Sequence, residues 1–87
     1  MPEVLLSPSA ERDLQQLDPT VRKRVFARLH ELEDMGLRHP HIKALKQPYK
    51  GQYRVEVGDW RIRFEAPSHL PGLYVQRILH RSRSYER

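Results

Sequence analysis

The chain has 87 residues, with 16 Lys+Arg against 11 Asp+Glu and a formal net charge of +5. That length supports one domain over 1–87 with a thin core, not two domains. There is no cysteine, which excludes disulfides, thiol catalysis and cysteine-based zinc sites, and no apolar run approaches the ~20 residues of a membrane span.

The start, Met1-Pro-Glu-Val-Leu-Leu, shows no basic n-region and no small-residue cleavage site, so a cytoplasmic location is expected and no membrane partner. The charge is one-sided. Residues 1–41 carry six basic and seven acidic side chains, whereas residues 42–87 carry ten basic and four acidic. Clustered Arg and Lys are the electrostatic footprint of a polyanion-binding face.

In chain order, Glu3–Leu6 reads as a short strand. Ser7 or Ser9 can cap a helix with Pro8 in its first turn, and Ala10, Leu14 and Leu17 form its apolar stripe. Asp18-Pro19 restarts the helical pattern, with Val21, Val25, Phe26, Leu29, Leu32 and Met35 on one face and Gly36 as the stop. Every large apolar residue has a claim on so thin a core. Residues 37–50 read as a connecting loop. Its His39 and His41 lack carboxylate company, so no metal and no cofactor are expected.

From Gln52 the period changes to two. Tyr53, Val55 and Val57 alternate with Arg54 and Glu56. After Gly58-Asp59, Trp60, Ile62 and Phe64 alternate with Arg61 and Arg63. A two-residue turn led by Gly predicts a hairpin. Leu73–Leu79 is a third strand, followed by a basic tail. The order predicts an α+β fold: an N-terminal strand, a helical hairpin, then a three-stranded antiparallel meander, with both helices on one face of a small sheet.

The turn length fixes the register. Val57 faces Trp60, Glu56 faces Arg61, Val55 faces Ile62, Arg54 faces Arg63 and Tyr53 faces Phe64. The apolar face must meet the helices. The opposite face, with Arg54, Glu56, Arg61 and Arg63, has no helix left to cover it and is expected to be open. Like charges directly opposite destabilise a sheet, so Arg54 opposite Arg63 makes physical sense if an anion sits there. The tail adds His80, Arg81, Arg83 and Tyr85, which offer acid–base, phosphate-binding and stacking chemistry. Histidine titrates near neutrality, which suits proton transfer.

The stretch Leu45–Glu65, with its Tyr53-Arg54 and Gly58-Asp59-Trp60-Arg61, closed by His80-Arg81 and Tyr85, resembles the RelE/ParE superfamily of toxins from type II toxin–antitoxin modules. The likeness covers the whole chain in layout. It implies a microbial-RNase-like fold and, in the RelE branch, metal-independent cleavage of mRNA on the ribosome by attack of a 2′-OH on the adjacent phosphorus. Arg54 then falls on a basic strand residue, Arg61 on the transition-state clamp, Arg81 on the tail arginine and Tyr85 on the terminal tyrosine.

Glu56 stands where RelE itself has a lysine, and Leu79 where a glycine usually precedes the histidine. YoeB-like relatives use Glu with a His near the terminus, so Glu56 or His80 is the implied base. Lys46, Lys50, Arg63, Arg77 and Arg83 are the expected RNA- and phosphate-binding residues. The implied partners are an acidic antitoxin, the ribosome and mRNA. The alternatives are a ParE-like poison of DNA gyrase and a non-catalytic antitoxin-binding relative.

Overall fold

The computed structural model describes residues 3–46, 51–67 and 72–83. Strand β1 (Glu3–Leu6) leads into helices α1 (Pro8–Gln16) and α2 (Pro19–Met35), followed by strands β2 (Ile42–Ala44), β3 (Gln52–Val57), β4 (Trp60–Glu65) and β5 (Gly72–His80). Short 3₁₀ turns occupy Gly36–Arg38 and Arg81–Arg83.

The helix ends follow from capping chemistry. Ser7 caps α1: its Oγ accepts from the Ala10 N–H at 3.0 Å and donates to the Gln76 carbonyl at 2.9 Å, which ties the helix start to β5. The last carbonyls of α1 have no partners within the helix. Arg22 of α2 supplies them, donating to the carbonyls of Leu14, Gln15 and Leu17 at 3.1, 2.8 and 2.9 Å. Arg22→Ala is expected to lower stability by about 2 kcal/mol, since charge-assisted hydrogen bonds are lost and carbonyls left unmatched. Urea unfolding would read this as a lower midpoint at unchanged m. Arg22→Lys should recover only part of it, because an ammonium cannot reproduce the guanidinium fork.

The sheet has five strands in the order β1-β5-β4-β3-β2. The β3–β4 hairpin has the register expected from its turn, Val57 with Trp60 through Tyr53 with Phe64. Gly58 adopts φ +59 at the first central position, as a type II′ turn requires. Strand β1 pairs parallel to β5, so the first strand joins the meander at its far side.

Two expectations need correcting here. Residues 37–50 are not a plain loop: Ile42–Ala44 pairs antiparallel with Tyr53–Val55 as the edge strand β2. Three residues between prolines are too few for their alternation to stand out. The apolar stripe of α2 is also narrower than its spacing suggests. Val25, Leu29 and Leu32 are buried, but Phe26 and Met35 are 44 % and 40 % exposed. They sit beside the stripe, Phe26 in a shallow cleft next to Val4 and Leu6 of β1.

The core lies between the helices and one sheet face. Ala10, Leu14 and Leu17 of the α1 region and Val25, Leu29 and Leu32 of α2 pack on Val55, Val57, Ile62, Phe64, Leu73, Val75 and Ile78. Gln76 is an extra residue on β5: Arg63 pairs with Arg77 and Phe64 with Val75. Such a bulge changes which face the following residues take. Inward positions run Leu73 and Val75 before it, then Ile78 and His80 after it.

Candidate functional site

The face of the sheet away from the helices is organised in two rows. In the first, Lys43 of β2, Arg54 of β3, Arg63 of β4 and Arg77 of β5 stand in successive register. These four register positions span roughly 14 Å of sheet, three strand spacings. The guanidinium of Arg77 is held by Asp13 of α1, which leaves Lys43, Arg54 and Arg63 as the cations of the row. In the second row Glu56 pairs with Arg61, and Arg61 with Leu79. The bulge at Gln76 is what turns Arg77 to this side.

Arg61 departs from the expected open face. It is 8 % exposed. Its Nη1 donates to the carbonyls of Gly58 and Trp60 at 3.0 and 3.1 Å, and its Nε lies 3.6 Å from the Glu56 carboxylate. One arm of the guanidinium thus locks the β3–β4 turn, and the ion pair orients Glu56. Arg63 donates to the Gln52 side chain at 3.1 Å.

His80 lies on the other face. It pairs with Trp60, and the two rings meet edge-on with centroids 5.3 Å apart. Trp60 is only half-buried at this rim of the core. The Nδ1 of His80 is 3.0 Å from the Ser82 hydroxyl. His80, Trp60, Arg77 and Arg83 line a cleft of about 340 Å³ beside α1. The two implied bases, Glu56 and His80, therefore face opposite sides of the sheet. Arg81 returns to the Glu56 end: its N–H donates to the Asp59 carbonyl at 2.7 Å and its side chain is 3.9 Å from the Asp59 carboxylate. Lys46 is exposed just past β2, while Lys50 and Tyr85 lie outside the described residues.

Two helix carboxylates are tied into the fold. Asp13 of α1 accepts from Arg77 at 2.8 and 3.2 Å and from the Ile78 N–H at 2.9 Å. Burial pushes its carboxyl up, but those bonds and the charges of Arg77 and Arg12 outweigh it and hold it below its ordinary value. Glu31 of α2 is likewise held low, first by the hydrogen bond from buried His39 at 2.7 Å and then by Arg28. A carboxylate lowered on folding stabilises the fold above its unfolded value, and that contribution drains away as pH falls through its folded one. Stability should therefore fall from about pH 5 towards pH 3. Urea midpoints across that range should drop less steeply for Glu31→Gln.

Sequence reasoning missed Lys43, because β2 was not visible, and the role of Gln76. The signal for the first was the alternation His41, Lys43 around inward Ile42. The structural role of His39, buried and bound to Glu31, had no sequence signal beyond its prolines. Among the described residues, no group of three or more metal-ligating side chains comes together, and no helix is long and apolar enough to cross a membrane.

Comparison with known proteins matches residues 4–85 to the family model described as the ParE toxin of the type II toxin–antitoxin system parDE. No curated protein sequence matches. Among solved structures, a chain of the toxin–antitoxin complex RelBE2 from Mycobacterium tuberculosis superposes with TM-score 0.81 at 24 % identity, covering 93 % of this chain and 100 % of that one. A chain of the RelB–RelE complex from Methanococcus jannaschii gives 0.73 at 25 %, covering 90 % and 91 %. The isolated RelE toxin of E. coli gives 0.77 at 17 %, covering 97 % and 88 %.

Proposed function

This chain belongs to the ParE toxin family, type II toxin–antitoxin toxins of the RelE/ParE superfamily, and on that premise we propose that it cleaves mRNA on the ribosome, in the cytoplasm. The observation that carries the reading is the line of Lys43, Arg54 and Arg63 beside Glu56 and Arg61. A binder that only docked on protein would have little use for three like charges in register, which destabilise a sheet. A phosphate backbone makes each of them favourable.

The chemistry follows from the two rows. The cation row holds the phosphates on either side of the scissile one. Glu56 accepts the 2′-OH proton as that oxygen attacks phosphorus, and Arg61, 3.6 Å away, keeps the carboxylate aimed. Arg81, at the turn beside Asp59, stabilises charge on the phosphorane with Arg54. Tyr85 contributes the stacking partner for a base. An acidic antitoxin is the partner this surface suits. Its relatives of known structure include complexes named for RelB and YefM antitoxins, and such partners order on binding.

Inducing the chain in cells and mapping mRNA 5′ ends tests this. In-frame cuts confined to translated messages are the expected result. Inhibited growth with intact mRNA and trapped gyrase cleavage complexes would replace the ribonuclease reading with the gyrase one.

A further inference from the structure

The outer face ends in a notch. Strand β2 covers β3 only from Tyr53 to Val55, so the β3 edge beyond Val55 is left open by β2. A cleft of about 360 Å³ forms there, lined by Arg28 of α2, Pro40, His41, Lys43 of β2, Glu56 of β3 and Gly58. Register explains why His41 belongs to it. The ladder starts with Ile42 opposite Val55, so His41, the residue just before it, lies at the end of β2 next to Glu56, and both line the cleft. His41 therefore flanks the Glu56 end of the second row without pairing in it.

The two histidines of this segment have opposite situations. His39 is 5 % exposed. Its Nε2 is 2.7 Å from Glu31 and its Nδ1 accepts the His41 backbone N–H at 3.1 Å, so both nitrogens are committed to the fold. His41 is exposed, and its ring lies 5.5 Å from that of His39 at a 54° tilt. The same backbone bond from His41 to His39 fixes where the His41 ring starts. The groups around it are Arg28 from α2, His39 from its own loop, Lys43 from β2 and Glu56 from β3.

We propose that His41 is a catalytic residue, the proton donor to the leaving 5′-oxygen, paired with Glu56 as base. The assignment rests on the ribonuclease reading above. The 2′-oxygen bonds to phosphorus and its proton passes to the Glu56 carboxylate. The bond from phosphorus to the 5′-oxygen breaks, and that oxygen takes the proton of the His41 imidazolium. The products are a 2′,3′-cyclic phosphate and a 5′-hydroxyl, and no further reactant is needed. Arg28 and Lys43 flank the cleft where negative charge builds up. Cleavage of this kind needs its acid and base on the same side of the sheet, and His80 is not on the Glu56 side.

The test uses the whole chain with mRNA-programmed ribosomes and two messages. One is natural at the mapped cut. The other carries sulfur in place of the bridging 5′-oxygen there, a leaving group that departs without a proton. His41→Gln keeps the backbone bond to His39. It is expected to slow cleavage of the natural message by ~10²-fold and of the sulfur message by only a few fold. Glu56→Gln should slow both. Equal loss on the two messages for His41→Gln, or no loss, would overturn the assignment while leaving the ribonuclease reading intact. So would rescue by sulfur in His80→Gln instead. Failure of the unaltered chain to cleave either message would remove both.

Discussion

Replacing Arg54 and Arg63 together by glutamine is expected to weaken binding to single-stranded RNA by at least about tenfold, with a far smaller effect on stability. The two stand directly opposite one another within the cation row. Each phosphate contact on a single strand contributes a slope of about 0.7 to the dependence of affinity on salt. Losing two should flatten the plot of log affinity against log salt by about 1.4. Filter binding across a salt series gives the slope, and urea unfolding gives the stability. A matching fall in stability would mean that the arginines serve the fold instead, and an unchanged slope would remove the row from the RNA contact.

Phe64→Ala should be the most damaging single change in the core. The ring is fully buried on the helix-side face and stacks on Tyr53 with centroids 5.7 Å apart. Truncating a buried phenylalanine costs about 3–5 kcal/mol. A domain has only ~5–15 kcal/mol in total, so the variant should lose at least about a fifth of its stability. The melting temperature should fall by at least ~12 °C. Scanning calorimetry would show it. A shift of only a few degrees would mean that the helices and sheet close over the missing ring.

Much of this was readable from residue spacing. The hairpin register followed from one glycine-led turn, and with it the pairing of Arg54 with Arg63 and of Glu56 with Arg61. The helix boundaries followed from Ser7, Pro8, Pro19 and Gly36. What could not be read depends on distant contacts. A three-residue edge strand has no periodicity of its own, and β2 exists because β3 offers it a ladder. The bulge at Gln76 is set by the pairing of β5 with β4, and it decides the sides taken by Arg77 and His80. Burial of Arg61 likewise reflects carbonyls at a turn, where spacing alone predicts exposure. The candidate residues were therefore legible as a set of residue types, while their division between two faces was not.

Strand β1 has a single neighbour in the sheet, and that neighbour is β5. The Ser7–Gln76 bond beside this pairing joins residues 69 positions apart. Contacts of such long sequence separation form late and slow folding. A nascent chain that has passed through β4 still lacks β5, which pairs with β1 through Gly72–Val75 and anchors the start of α1 through the Gln76 carbonyl. The hairpin can form before then, but its apolar face has no complete cover until the last strand emerges. The row of register positions that ends at Arg77 is therefore complete only once β5 has joined the sheet.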